Sequence, residues 1–202
     1  MHRGFAALMC GTALMSLGAQ FLVSEALMGA PGMGAVLWRM AGYFTVLTNT
    51  LVAVTFLYVM ATGQRVGAIW AGGLTLWIAA VGIVYHLVLA GLWRPEGLAW
   101  WADQGLHTAV PLLVVLWWGW QADKSGLRRR HAGIWLLWPA LYCAYALSRG
   151  ALSGFYPYPF LDVAALGPGA VAINVVGLLL AFAGGGLMLI ALARWRAGVR
   201  AR

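Results

Sequence analysis

Long apolar runs alternate with short polar breaks along this chain. Runs over residues 4–24, 39–62, 67–92, 101–121, 132–149 and 169–193 each approach or exceed the roughly 20 residues that a helix needs to cross a bilayer. The breaks carry helix-stopping residues. Pro31, Gly32 and Gly34 follow the first run, Gly63-Gln64-Arg65 the second, and Arg94-Pro95-Glu96-Gly97 the third. Residues 123–131 hold Lys124, Arg128, Arg129 and Arg130, and residues 154–162 are too rich in Pro and aromatic side chains for a helix. The pattern predicts an all-α polytopic membrane protein. It is a bundle of about six transmembrane helices forming one domain over residues 1–202, without internal repeats.

Composition sharpens this reading. Only 9% of residues are charged and 63% are hydrophobic, against about 25% charged in soluble domains. Six spans and short loops leave no room for a separate soluble domain. Arg3, an apolar stretch and Ser16-Leu17-Gly18-Ala19 loosely fit a signal peptide. The apolar run continues through Phe21, Leu22 and Val23, however, so it reads as the first span. The net charge of +8 does not point to nucleic acid. The basic residues form clusters between apolar runs, not a stripe interleaved with aromatics. With six spans, Arg3, Arg65, Lys124, Arg128, Arg129, Arg130, Arg194, Arg196, Arg200 and Arg202 share one side. Arg39, Arg94 and Arg149 lie on the other. The excess of Lys and Arg on cytoplasmic loops then puts both termini in the cytoplasm. Cys10 and Cys143 fall inside apolar runs and read as small hydrophobes. No Cys/His cluster is present, so neither a metal nor a cofactor is expected.

Polar groups inside spans are costly and often mark function. Thr45, Thr48 and Asn49 fall near the outer end of the second span, with Thr45 and Asn49 on one face. Asn49 reads either as interhelical packing glue or as a site residue. Asp103 and His107, four residues apart at the start of the fourth span, can touch. Asp103 is then either a helix cap or the group that orients an imidazole base. His86 falls at a depth similar to that of His107; it reads as a substrate-pocket residue, and two such rings can also carry protons, bind a lipid head group or ligate haem iron. Arg149, Tyr158 and Asp162 cluster around the outer Pro/aromatic loop, which is either an interfacial anchor or a lid. In the lid reading Arg149 holds a substrate carboxylate or pairs with Asp162.

Taken together, the segments Trp101-Ala102-Asp103-Gln104-Gly105-Leu106-His107-Thr108-Ala109-Val110-Pro111 and Tyr158-Pro159-Phe160-Leu161-Asp162, with Gly167-Pro168-Gly169-Ala170 after them, resemble the androgen-induced-protein family. Phe44-Thr45 and its neighbours resemble that family's N-terminal signature, and the three segments occur in the family's order. The resemblance implies a transmembrane threonine hydrolase that cleaves lipid esters such as fatty acid esters of hydroxy fatty acids. His107 matches the family's histidine. Thr45 matches its threonine, with Thr48 as the alternative nucleophile. Two positions depart from the family. Gln104 stands where some members carry a second histidine, and Thr48 or Asn49 stands in place of an acid. The compact chain, with short loops and no tails, fits a distant prokaryote-like member in a bacterial inner membrane. Its natural ester need not be the family's.

In the chemistry expected, Thr45 attacks the ester carbonyl and His107 acts as general base. Helical spacing suggests Asn49 as an oxyanion donor and Asp103 as the orienting group. Counting down from helix starts near residues 40 and 101 puts Thr45 and His107 at equal depth. The partners expected are the lipid ester and membrane lipids, with no nucleic acid. The rival readings are a lipid or small-anion binder or transporter, and a haem- or quinone-binding protein.

Overall fold

The computed structural model describes residues 3–200, without the side chains of residues 196–200. Arg202 and the side chains of Arg196 and Arg200, counted in the orientation argument, lie outside the described residues. Regular structure among the described residues is entirely helical. The chain separates into two compact units, Met1–Asp123 and Lys124–Arg202. Four helical stretches are long and apolar enough to cross a membrane: Arg3–Leu27, Phe44–Thr62, Ala68–Leu89 and Val163–Trp195.

The first unit holds α1 (Arg3–Leu27), α2 (Met33–Met40), α3 (Phe44–Thr62), α4 (Ala68–Val84), α5 (Gly97–Gln104) and α6 (Val110–Trp120). Between lipid-solvated helices the hydrophobic effect offers little, so close packing and interhelical hydrogen bonds must hold them together. The sequence supplies both. Along α1, the buried Ala6, Met9, Cys10, Ala13 and Ser16 repeat every three or four residues, the spacing of one helix face. Small side chains on that seam let α3, α5 and the turn after α5 approach closely. On α3 the matching seam is Thr45, Asn49, Val52, Phe56 and Val59, with Thr48 and Ala53 beside it. On α4 it runs through Leu74, Ile78 and Val81 to Tyr85. Two glycines mark the tightest contacts. A Cβ on Gly82 would stand 3.0 Å from the His107 carbonyl oxygen, and one on Gly105 would stand 2.1 Å from Ser16 Oγ.

The second unit holds α7 (Arg130–Trp135), α8 (Leu137–Ser153), a short 3₁₀ turn at Pro159–Leu161 and α9 (Val163–Arg200). In α9, Gly167 takes φ 78°, ψ 159°, so the long apolar helix restarts at Pro168. That is the position where proline is best tolerated, and it agrees with the start expected near residue 169. Gly186 lets α9 pack on α7, where its Cβ would lie 3.2 Å from that of Ala132.

Several predicted boundaries move. The second span was expected from residue 39, but Met33–Met40 forms its own short helix, and α3 begins at Phe44 after the break at residues 41–43. The fourth was expected from residue 101, but α5 begins at Gly97 with Glu96 at its N-cap. Asp103 is therefore an interior helix residue, and the helix-cap reading is excluded. The fifth run divides at Leu136 into α7 and α8. The stretch from α5 to α6 is interrupted by polar residues and is not among the four apolar spans.

Gly105→Ala is expected to destabilise the protein by about 1–3 kcal/mol, the usual cost of overpacking. Rotating the Ser16 hydroxyl away does not relieve the clash, because its Cβ would still lie 2.8 Å away. Thermal unfolding in detergent checks this. Adding Ser16→Gly should recover part of the loss if the contact is the cause.

Candidate functional site

Two helices of the first unit widen where polar residues gather. After Val84 the helix opens into a π turn at Tyr85–Leu89, closed by Ala90 N–H to the Tyr85 carbonyl at 2.8 Å. Between α5 and α6 a second π turn covers Gly105–Ala109, closed by Val110 N–H to the Gly105 carbonyl. Such turns carry one extra residue, shift the side-chain register and recur at functional sites. Here each carries a histidine, His86 in the first and His107 in the second.

The centre of the site is Asp103, which is 1% exposed. A carboxylate that deep needs donors; here they gather on Oδ2, and Oδ1 accepts no hydrogen bond among the described residues. Tyr85 donates its hydroxyl to Oδ2 at 2.5 Å, and Gln104 Nε2 reaches the same oxygen at 3.3 Å. His107 Nδ1 is hydrogen-bonded to the Asp103 backbone carbonyl at 3.0 Å and lies 3.2 Å from Oδ1 without a hydrogen bond to it. The Tyr85 ring also stacks on the imidazole, with centroids 4.0 Å apart and planes 14° apart. Among the described residues, no hydrogen bond takes up His107 Nε2. A second string leads away from the carboxylate. Thr108 Oγ1 donates to Gln104 Oε1 at 2.9 Å, and His86 Nε2 lies 3.0 Å from that same hydroxyl.

Helix α3 joins this site through Asn49. Its Nδ2 donates to the Thr45 carbonyl at 2.9 Å and across to the Leu106 carbonyl at 3.2 Å. Both partners are acceptors, which fixes the amide's orientation. Its Oδ1 is fully buried and meets no donor among the described residues. The oxyanion role expected for Asn49 therefore does not fit, because its N–H groups are committed and the spare atom is an acceptor. Further down, Phe56 packs edge-on against Trp117 at 4.9 Å. The two contacts follow each other in the same order on both helices, so α3 runs parallel to the stretch from α5 to α6.

This register replaces the equal-depth argument. From the observed helix starts, Thr45 lies about 1.5 Å and His107 about 15 Å along its helix at 1.5 Å per residue, so counting from helix ends fails. Asn49 sits level with Leu106 instead. Thr45, one turn earlier, falls near the level of Asp103, toward which the His107 ring is turned. Thr45 and Thr48 are both buried, and neither forms a hydrogen bond with His107.

Tyr85 was not singled out from sequence. Its signal was its place on the α4 seam, three and four residues beyond Gly82 and Val81 and directly before His86. Thr108 was quoted only within a motif. The remaining expected residues belong to the second unit. Tyr158 is buried and stacked on Phe160, with centroids 5.2 Å apart. Arg149 is buried on α8 and donates to the Tyr145 hydroxyl at 2.8 Å. Asp162 Oδ1 accepts the N–H groups of Ala164 and Ala165 at 2.9 and 3.1 Å, a cap for α9. It forms no ion pair with Arg149, because the capping geometry commits the carboxylate to the helix start.

Replacing Asn49 tests the interhelical bond. Asn49→Asp sets a carboxylate oxygen against two carbonyl oxygens in a buried position. It is expected to cost more than the roughly 1–3 kcal/mol of an ordinary unsatisfied group. Asn49→Leu, which loses the same donors but adds no charge, should unfold at a higher temperature in detergent than Asn49→Asp.

Comparison with protein-family models, with curated proteins and with solved structures finds no match to this chain.

Proposed function

We propose that the protein is an integral-membrane lipid ester hydrolase in which His107 is the general base and Thr45 the nucleophile. The reading rests on one observation above all. Asp103 holds His107 Nδ1 by its backbone carbonyl at 3.0 Å, with its carboxylate Oδ1 3.2 Å away, and Nε2 is left for chemistry. A buried acid on one ring nitrogen and a free lone pair on the other is how a third group prepares an imidazole base. The resemblance of residues 101–111 to the androgen-induced-protein family points to the same histidine.

In the proposed reaction, Nε2 takes the Thr45 hydroxyl proton as the oxygen attacks the ester carbonyl carbon. The tetrahedral intermediate expels the alcohol oxygen, which receives that proton from His107. Water then cleaves the acyl-threonine by the same steps, releasing the fatty acid. Apolar helix surfaces around the site keep an acyl chain in lipid while its carbonyl meets the base. The basic clusters support six spans with both termini on the cytoplasmic side, and so a site toward the outer leaflet.

One contact favours a second candidate nucleophile. Thr108 is the hydroxyl that meets an imidazole, that of His86, at 3.0 Å. Its single proton is already directed to Gln104 Oε1 at 2.9 Å. Hydrogen-bond economy thus makes Thr108 an acceptor from His86, which disfavours it as an activated nucleophile.

The test is hydrolysis of a long-chain ester by purified protein in detergent. Thr45→Ala and His107→Ala are expected to lower turnover by at least about a hundredfold, and Thr108→Val by less than either. Loss with Thr48→Ala alone moves the nucleophile by one turn. Absence of turnover by well-folded wild type, across chain lengths, contradicts the reading.

A further inference from the structure

The polar string between the two π turns fixes more than the position of one ring. Each proton on it can be assigned by requiring every donor to meet an acceptor. Gln104 must turn Nε2 toward Asp103, because the reverse orientation would oppose its oxygen to a carboxylate oxygen. Its Oε1 then faces Thr108, whose only proton is used there. Thr108 Oγ1 is left as an acceptor, so His86 Nε2 must carry a hydrogen. On the other side, Asp103 Oδ1 and the Asp103 carbonyl are both acceptors, so His107 Nδ1 must carry one as well. Among the described residues, none on the string has a further bond that would alter this assignment.

We propose that the string and Tyr85 hold the two neutral histidines in opposite tautomers, His86 protonated at Nε2 and His107 at Nδ1, with Tyr85 as the positioning residue for the His107 base. This rests on the hydrolase reading for its catalytic consequence, but the tautomers themselves do not depend on it. Tyr85 acts at both ends of the pair. Its hydroxyl holds the Asp103 carboxylate at 2.5 Å, and its ring lies flat on the imidazole at 4.0 Å. An unrestrained imidazole favours the Nε2-protonated form, which would put a proton where the base needs a lone pair. The Asp103 carbonyl opposes that preference, and the Asp103 carboxylate completes the reversal while Tyr85 holds it beside the ring. The amide of Gln104 does not pass protons readily between the two rings, so the string is a brace rather than a proton wire. His86 is exposed and, through Thr108, keeps Gln104 facing the carboxylate.

The experiment is ¹⁵N NMR of histidine side chains in the full-length protein in detergent, with His2→Gln, His86→Gln and His131→Gln for assignment. The ring nitrogens of the two tautomers give distinct shift patterns. Wild type is expected to show His107 protonated at Nδ1 and His86 at Nε2. Tyr85→Phe, which keeps the stacked ring, should turn His107 into a mixture containing the Nε2-protonated form. It should lower kcat on the order of tenfold to a hundredfold, within the range of acid–base contributions, and leave KM unchanged. Tyr85→Leu, which removes the stack too, should lose more. Both rings in the same tautomer in wild type overturns the proposal, and so does a Tyr85→Phe spectrum and kcat equal to wild type. If wild type has the opposed tautomers yet hydrolyses no ester, the hydrolase reading fails and the bracing of His107 stands.

Discussion

A single buried carboxylate organises the first unit. Asp103 is 1% exposed, on a helix surrounded by apolar side chains. Leaving such a group without donors would cost several kcal/mol, so the surrounding elements must deliver them. Helix α4 brings the Tyr85 hydroxyl and the neighbouring position brings Gln104, both to Oδ2, while the second π turn sets His107 Nδ1 3.2 Å from Oδ1. Gly82 and Gly105 allow the required approach, since any Cβ there would meet His107 O or Ser16 Oγ. The π turns follow from the same need. One extra residue in each helix turns the polar side chains toward a common centre while the apolar seam continues on either side.

Much of the helical layout was legible because lipid imposes long apolar runs. The restart of α9 at Pro168 could be placed from its Gly-Pro pair. The beginnings of α3 and α5 were missed for a local reason. Residues 33–40 and 97–100 are apolar enough to continue either a loop or a helix, and periodicity alone does not separate the two. The break between α2 and α3 falls at Ala41-Gly42-Tyr43, without a proline to announce it.

The site was legible in its chemistry and less so in its connections. The spacing of Asp103 and His107 announced their contact, because four residues bring two side chains to one face. It did not announce that Asp103 points inward, which follows from sharing a seam with Leu106 and Val110. Tyr85 looked like an ordinary aromatic on a buried face. Asn49 was rightly suspected as a residue needing partners, but which of its atoms would be spare depended on two carbonyls no sequence pattern reveals. Asp162 was drawn toward Arg149 by charge, whereas the start of α9 supplies two N–H groups that claim it.

The functional account stands or falls on which hydroxyl His107 activates. The most direct measurement is to treat the purified protein with a fluorophosphonate that carries a long alkyl chain and map the adduct by peptide mass spectrometry. A phosphonylated Thr45 is expected, formed by wild type and Tyr85→Leu at different rates and not formed by His107→Ala. An adduct on Thr108 or on a residue of the second unit, or a Thr45 adduct that forms equally well without His107, would contradict it.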